Sequence, residues 1–241
     1  MSTPTKPDQL AEFAVKDIES GMTVGLGTGR AASRGVEALA RRVKEESLHI
    51  RCVSTSEKTS KLAESLGLIL VALEDVDTID LLFDGADEVD QNLAMLKGMG
   101  GAMTREKILA HAAERRIYLV QKDKLVEKIG QTGPLPVEVF PFAANAVMNE
   151  LDDYGLESGL LTTPDDVPIV TDNGGHVVMV AIPESVTDSL EALHEFSLGI
   201  KHIPGVIEHG LFIDEADAVL VEGEDEGDLE LYLRDDAPDE E

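Results

Sequence analysis

The stretch Met22–Val43, MTVGLGTGRAASRGVEALARRV, decides the fold. A short apolar run leads into a glycine-rich turn, and the turn leads into a helix-periodic segment. The same plan follows at His49–Gly67, HIRCVSTSEKTSKLAESLG, with a strand at Ile50–Ser54, a Ser/Thr turn and a helix. LILVAL (68–73) reads as another strand, and TIDLLFDGADEVD (78–90) as the next, ending at Phe83. GAMTREKILAHAAERR (101–116) reads as a helix opened by Thr104 or a neighbour, and RIYLVQKDK (116–124) as a strand running into a lysine-bearing turn. Strand, turn and helix in repetition specify a parallel sheet with crossover helices. The strands are continuous apolar runs, as expected for a sheet covered on both faces. Ahead of this core, Gln9–Ser20 is helix-periodic, with Leu10, Phe13, Ala14 and Ile18 on one side and Gly21 at its end.

The pattern changes after Gly130. Pro134, Pro136 and Pro141 mark a boundary, and the chain to about His202 reads β-α-β-β-α. Its hairpin, Val167–Pro183, turns at Asp172-Asn173-Gly174-Gly175. The expected organisation is an α/β core of residues 1–130 and 205–241 with a smaller α+β lid of residues 131–204. IPGVIEHGLFI (203–213) and AVLVEG (218–223) are expected to return to the main sheet as strands. From Glu222 to Glu241 there are eleven acids and one arginine, and the end of this stretch reads as a solvated tail.

In a parallel α/β sheet, ligands bind beyond the carboxyl ends of the strands. Four groups therefore share one edge: Leu26-Gly27-Thr28-Gly29-Arg30, Ser54–Glu57, Asp84 with Asp87, and Lys124. The glycine loop can bring backbone N–H groups and a helix N-terminus to an anion, but it is neither a nucleotide P-loop nor a good dinucleotide fingerprint. By itself it is equally a tight turn with no ligand. LKGMGGAMTREK (96–107) is a second such loop, with Lys97 suited to stabilising an oxyanion and Glu106 to acting as a base or as an acid favoured in a first helical turn. The acids of LLFDGADEVD do not fit a calcium loop, because Ala86 and Val89 stand where a ligand and glycine are required. Asp84 and Asp87 flank small residues at a strand end. Glu88 and Asp90 read as general surface acidity. The six histidines show no metal-ligand spacing and read as structural or exposed. The single cysteine, Cys52, reads as core filler, which excludes a disulfide framework. The N-terminal stretch reads as neither signal peptide nor lipidation site, and no apolar run approaches the ~20 residues of a membrane span.

Six segments together are similar to the A type of ribose-5-phosphate isomerase. They are VGLGTGRAA (24–32), STSEKTSKLAESLGL (54–68), FDGADEVDQNLAMLKGMGGAMTREKILA (83–110), LPVEVFPFA (135–143), VTDNGG (170–175) and IPGVIEHGLF (203–212). The resemblance implies a Rossmann-like core with a ferredoxin-like lid, a cytoplasmic homodimer or homotetramer, and interconversion of ribose 5-phosphate and ribulose 5-phosphate with no metal or cofactor. It implies catalytic roles for Glu106, Asp84, Asp87 and Lys97. It implies substrate contacts at Thr28, Gly29, Arg30, Ala31, Asp84, Gly85, Ala86, Asp87, Lys97, Gly98, Met99, Gly100 and Lys124. Arg30 and Ala31 stand where the family has hydroxyl side chains, and Met99 stands where it has glycine. A non-catalytic sugar-phosphate sensor on the same fold is the rival reading. Other enzymes of the wider superfold, such as amino-sugar phosphate deaminases or CoA transferases, fit the D-G-A-D to R-E-K spacing less well.

The charge excludes other functions. Forty-eight acids against 20 Lys and Arg give a formal net charge of −28, which repels nucleic acid and anionic membrane surfaces. An anionic small molecule must then be held by local cations and backbone N–H groups. Because the acids are spread along the whole chain, they point to a protein of a salt-loving organism. Self-repulsion of this size destabilises the fold until counter-ions screen it. Melting followed by circular dichroism is expected to move to higher temperature between low and molar KCl; an unchanged midpoint would remove this reading.

Overall fold

The computed structural model describes residues 8–223 and 228–234. Its centre is a six-stranded sheet built on β1 (Thr23–Leu26), β2 (Arg51–Ser54), β3 (Leu81–Gly85), β6 (Arg116–Gln121), β12 (Ala218–Glu222) and β13 (Leu229–Leu233). Their spatial order is β13-β12-β6-β3-β1-β2. All pairs are parallel except β12 with β13. Among the parallel strands the order reverses between β1 and β3. That reversal opens a crevice at their carboxyl ends, the place where such sheets take ligands. The strands are buried on both faces, as their apolar runs require.

Helices α1 (Gln9–Val15), α2 (Arg30–Glu46) and α3 (Glu57–Ser65) cover one part of this sheet. The Asp8 side chain accepts from the Ala11 N–H and starts α1. This helix is shorter than its periodicity implies, although Ile18 beyond it is still fully buried. Gly27 follows β1, and a Cβ there would lie 2.2 Å from Asp84 Oδ1. Only glycine lets the two strand ends approach this closely. LILVAL is not a strand: it makes a single bridge, Cys52 to Leu70, and then enters a 3-10 turn at Leu73. The short segment lies outside β2 with no further strand to pair with.

A second sheet has the order β10-β7-β9-β8, all antiparallel. Its members are β7 (Leu135–Val139), β8 (Ser158–Leu160), β9 (His176–Val180) and β10 (Val206–His209). With α5 (Ala144–Asp153) and α6 (Leu190–His202) it forms the β-α-β-β-α-β plan of a ferredoxin-like unit. Its core is aliphatic, with Leu135, Val137, Val139, Val147, Val178 and Ile200 enclosed. The expected return of 203–213 to the main sheet is corrected here. β10 pairs with β7, and β11 (Leu211–Phe212) pairs with β5 (Met95–Leu96) in a small sheet that also holds β4 (Glu88–Val89). The small unit therefore extends beyond residue 204. The first arm of the expected 167–183 hairpin makes only isolated bridges, Thr162 to Pro168 and Val170 to His176. The acidic C-terminal stretch contains β13, which alternation of acids with Leu and Tyr concealed; residues 235–241 of the tail lie outside the described residues.

Glu88 is the largest departure from the sequence reading. It is fully buried, not surface. Its carboxylate accepts from the N–H groups of Gly130 (2.6 Å), Thr132 (2.6 Å) and Gly133 (3.0 Å), and from Thr132 Oγ1 (2.5 Å). The acid thus ties the linker between the two units to the strand after Asp87. Asp90 does serve a local turn, accepting from Asn92 and Ala94 N–H. Replacing one acceptor oxygen in Glu88→Gln leaves a linker N–H unpaired; it is expected to lower stability by about 1–3 kcal/mol, read as a lower urea midpoint at unchanged slope.

Candidate active site

The crevice between β1 and β3 contains a cavity of about 300 Å³. Thr28, Gly29, Arg30 and Ala31 form one wall, Gly85, Ala86 and Asp87 another, and Lys97, Gly98, Gly100 and Glu106 a third, with Lys124 at the rim. Asp84 and Met99 stand apart from the other residues anticipated for the site. Asp84 is enclosed below the floor. Met99 is half-exposed, its N–H donates to Asp87 Oδ2 (3.1 Å), and its methyl end lies where a Cβ on Gly133 would be.

Three elements converge on one ammonium. Asp84 arrives at the end of β3, Lys97 directly after β5, and Glu106 in the first turn of α4 (Met103–Ala112). Lys97 Nζ lies 3.0 Å from Asp84 Oδ2 and 3.4 Å from Glu106 Oε2, and it donates to the Gly85 carbonyl. The rings of Tyr118 and Phe212 stand 5.5 and 5.4 Å from it. Asp84 Oδ1 accepts from the N–H groups of Thr28 (2.9 Å) and Gly85 (2.7 Å). Asp84 Oδ2 and Glu106 Oε2 are buried, and the Lys97 ammonium is what faces them. Two acids thus share one cation.

Electrostatics follows from that count. Burial pushes the Glu106 carboxyl up, Lys97 opposes, and the nearby Asp84 and Asp87 charges add to the rise, leaving it at about 8. Burial also raises Asp84, against Lys97 and the two backbone donors. For Lys97, burial favours the neutral amine, but Asp84 and Glu106 outweigh it and hold the ammonium. Next to Glu106, Lys107 turns away from the cavity and pairs with Glu208 Oε1 (3.0 Å) and the His209 carbonyl (2.8 Å) on β10. His209 is buried, and burial with the adjacent Lys107 charge pushes it down to about 3, a neutral structural histidine.

The sequence reading missed Arg34, Gln121 and the depth of the hydroxyl cluster. Arg34 lines the cavity one helical turn after Arg30, so helix periodicity places both on one face. It is clamped by Asp8 (2.5 and 2.7 Å) and Glu222 (2.8 and 2.6 Å). Arg30 and Lys124 have no ion pair among the described residues, so they are the cations open to an anion. Gln121 ends β6 and could have been taken with the other strand ends. Thr28 Oγ1 bonds Thr55 (2.7 Å), Ser56 (2.7 Å) and Thr59 (3.2 Å), so its hydroxyl braces the loop from behind. Helix α4 begins at Ala102 with no side-chain cap, so Thr104 is not its opener. Among the described residues no three His, Cys, Asp or Glu side chains are arranged to hold a metal ion, and no helix is long and apolar enough to cross a membrane.

Known proteins resemble this chain along most of its length. Residues 51–226 match the family model of ribose 5-phosphate isomerase A (phosphoriboisomerase A). The ribose-5-phosphate isomerase A of Gloeobacter violaceus is 42% identical over 95% of this chain and 96% of that protein. That of Levilactobacillus brevis is 37% identical over 94% and 96%. Among solved structures, ribose 5-phosphate isomerase A of Methanocaldococcus jannaschii superposes with a TM-score of 0.85 at 35% identity, covering 93% of this chain and 96% of that one. A D-ribose-5-phosphate isomerase in complex with phospho-erythronic acid superposes at 0.86 with 36% identity, over 93% and 96%. With the match spanning both the core and the small unit, the chain belongs to the ribose 5-phosphate isomerase A family.

Proposed function

We propose that this protein interconverts D-ribose 5-phosphate and D-ribulose 5-phosphate through a cis-enediolate. The observation that carries the proposal is a buried glutamate raised to about 8 that lines the cavity beside the Lys97 ammonium, with Arg30 and Lys124 on the same cavity and without an ion pair among the described residues. Arg30, Lys124 and the N–H groups of the glycine loop hold the phosphate, so Arg30 supplies by charge what hydroxyls supply elsewhere in the family. Gly98 and Gly100 leave room for the sugar beside Lys97.

Asp87 lines the cavity and Asp84 does not, which favours Asp87 as the acid/base that opens the ring. Asp84 holds Lys97 in position. Glu106 takes the proton from C2 of the open-chain aldose, and the electron pair moves to O1. Lys97 and the loop N–H groups stabilise that oxyanion. Asp87 moves the hydroxyl proton from O2 to O1, and Glu106 returns its proton to C1, leaving the ketone at C2. A raised carboxyl is suited to this exchange, because it can both take and return a proton near neutral pH.

A relative binds phospho-erythronic acid. Its carboxylate offers two oxygens on one carbon, a stand-in for the enediolate oxygens, and the same compound is a fitting ligand here. We also propose a cytoplasmic homo-oligomer working at high salt. Phosphorylated sugars are retained within cells by their charge. The small unit exposes Phe140 and Phe142 together, the latter fully, and Leu198 on α6 is exposed as well. Large exposed apolar groups of this kind mark an interface.

The direct test is conversion of ribose 5-phosphate by the purified protein in molar KCl. Glu106→Gln is expected to lose at least ~10² in kcat with its fold intact; retained turnover would remove Glu106 as the base. In the parent, kcat/KM is expected to rise with pH up to about 8, reporting ionisation of the free enzyme's base. Asp87→Asn deletes a charge that raises this carboxyl, so its limb is expected at lower pH, whatever happens to the plateau. The stability sign is the reverse of the catalytic one. A carboxyl raised in the fold penalises folding increasingly from its ordinary 4.5 up to about 8, so Glu106→Gln is expected to melt higher than the parent above pH 8 and not below pH 4.5. Phe142→Glu is expected to yield a smaller species in sedimentation; an unchanged mass would place the interface elsewhere.

A further inference from the structure

Glu138, in the middle of β7, is fully buried, and no cation pairs with it among the described residues. Its carboxylate accepts from the hydroxyls of Thr104 and Thr171 and from Asn173 Nδ2 (3.2 and 3.3 Å). Thr104 stands two residues before Glu106 in the same helical turn. Because the N-cap of α4, Ala102, offers no side-chain cap, the first turn is oriented by the contacts its own side chains make. Lys107 fixes the helix to β10 one residue beyond Glu106, on the side away from the cavity. The Thr104–Glu138 bond is a buried anchor on the N-terminal side.

The turn carrying Thr171 and Asn173 reaches further. Arg105 donates to Asn173 Oδ1 (2.7 Å) and to the Asp172 carbonyl (2.8 Å). Asp172 Oδ2 accepts from the Glu57 N–H (2.7 Å) at the start of α3. Ser56, the cap of α3, bonds Thr28, and Thr28 N–H bonds Asp84. A path of hydrogen bonds and adjacent residues thus runs from one buried carboxylate of the site to the other through the small unit. No residue of that unit lines the cavity.

We propose that Glu138 is a positioning residue for the isomerisation: it holds the first turn of α4, and through it the direction in which Glu106 presents its carboxylate. The inference rests on the isomerase reading above. Its physical basis is that a displacement of ~1 Å at a reacting group lowers rate by about 10² without touching binding.

The test uses the full chain and a volume-conserving change. Thr104→Val removes the hydroxyl that Glu138 holds, and Thr104→Ser keeps it. Thr104→Val is expected to lower kcat by about tenfold with KM changed by less than ~2-fold, and Thr104→Ser to restore most of it. Glu138→Gln is expected to act in the same direction, and the double variant with Thr104→Val to be no worse than the poorer single one. A Thr104→Val enzyme within ~2-fold of the parent in kcat, or a Thr104→Ser enzyme no better than it, overturns the proposal. A carboxyl-carbon NMR titration of Glu106 gives a readout independent of turnover. In Thr104→Val its midpoint is expected to move towards the ordinary carboxylate range. Should the parent fail to convert ribose 5-phosphate, the isomerase reading is what falls, and an unmoved midpoint then overturns the positioning role separately.

Discussion

The site depends on a single ammonium held out of water between two carboxylates. A buried charge is tolerated only when paired and hydrogen-bonded. Lys97 meets that requirement by drawing β3, the segment after β5 and the start of α4 to one point, with two aromatic rings behind it. One cation cannot neutralise two acids and the nearby Asp87 as well. Burial, with the surplus negative charge of Asp84 and Asp87 added to it, is what keeps a proton on Glu106 to so high a pH. A more complete neutralisation would hold the fold better and catalyse worse.

The core was legible because its signals are local. Apolar run, glycine or hydroxyl turn and helical period recur, and of the residues beyond the strand ends Thr28, Gly29, Arg30, Asp87 and Lys124 do meet in one crevice, with Ser54–Glu57 outside its lining. Asp84, Asp87, Lys97 and Glu106 come together as their placement in turns implied. The largest failures are long-range. Nothing local distinguishes Glu88 from the exposed acids of a very acidic chain; its burial is set by the linker at 130–133, which supplies its donors. The strand at Val206–His209 has the same composition whether it joins the large sheet or the small one, and the free edge of β7 decided the matter. Glu138 likewise reads as one more polar residue in an alternating strand until the turn at 171–175 closes over it.

An acidic molecule that binds an anion must separate its far field from its near field. The far field of this protein is strongly negative. At the cavity, Arg30 and Lys124 have no ion pair among the described residues, while Arg34 is held by its two acids. At a Debye length of about 8 Å or less, these two cations act on a ligand that has arrived and contribute little to drawing it in. Binding therefore relies on contact, and salt that weakens surface repulsion leaves the enclosed site largely unscreened.

The Arg34 clamp carries an implication for the order in which the protein becomes itself during synthesis. Its partners lie 26 and 188 residues away along the chain. Asp8 is translated before Arg34, but Glu222, at the end of β12, emerges only after every residue that lines the cavity has been made. The ribosome-bound chain can assemble the glycine loop, the Lys97 cluster and the small unit while this guanidinium has one acid and is still short of its second. The finished balance of charge at the mouth of the cavity is thus among the last properties the nascent protein acquires, and a chain arrested before β12 would present a more cationic pocket.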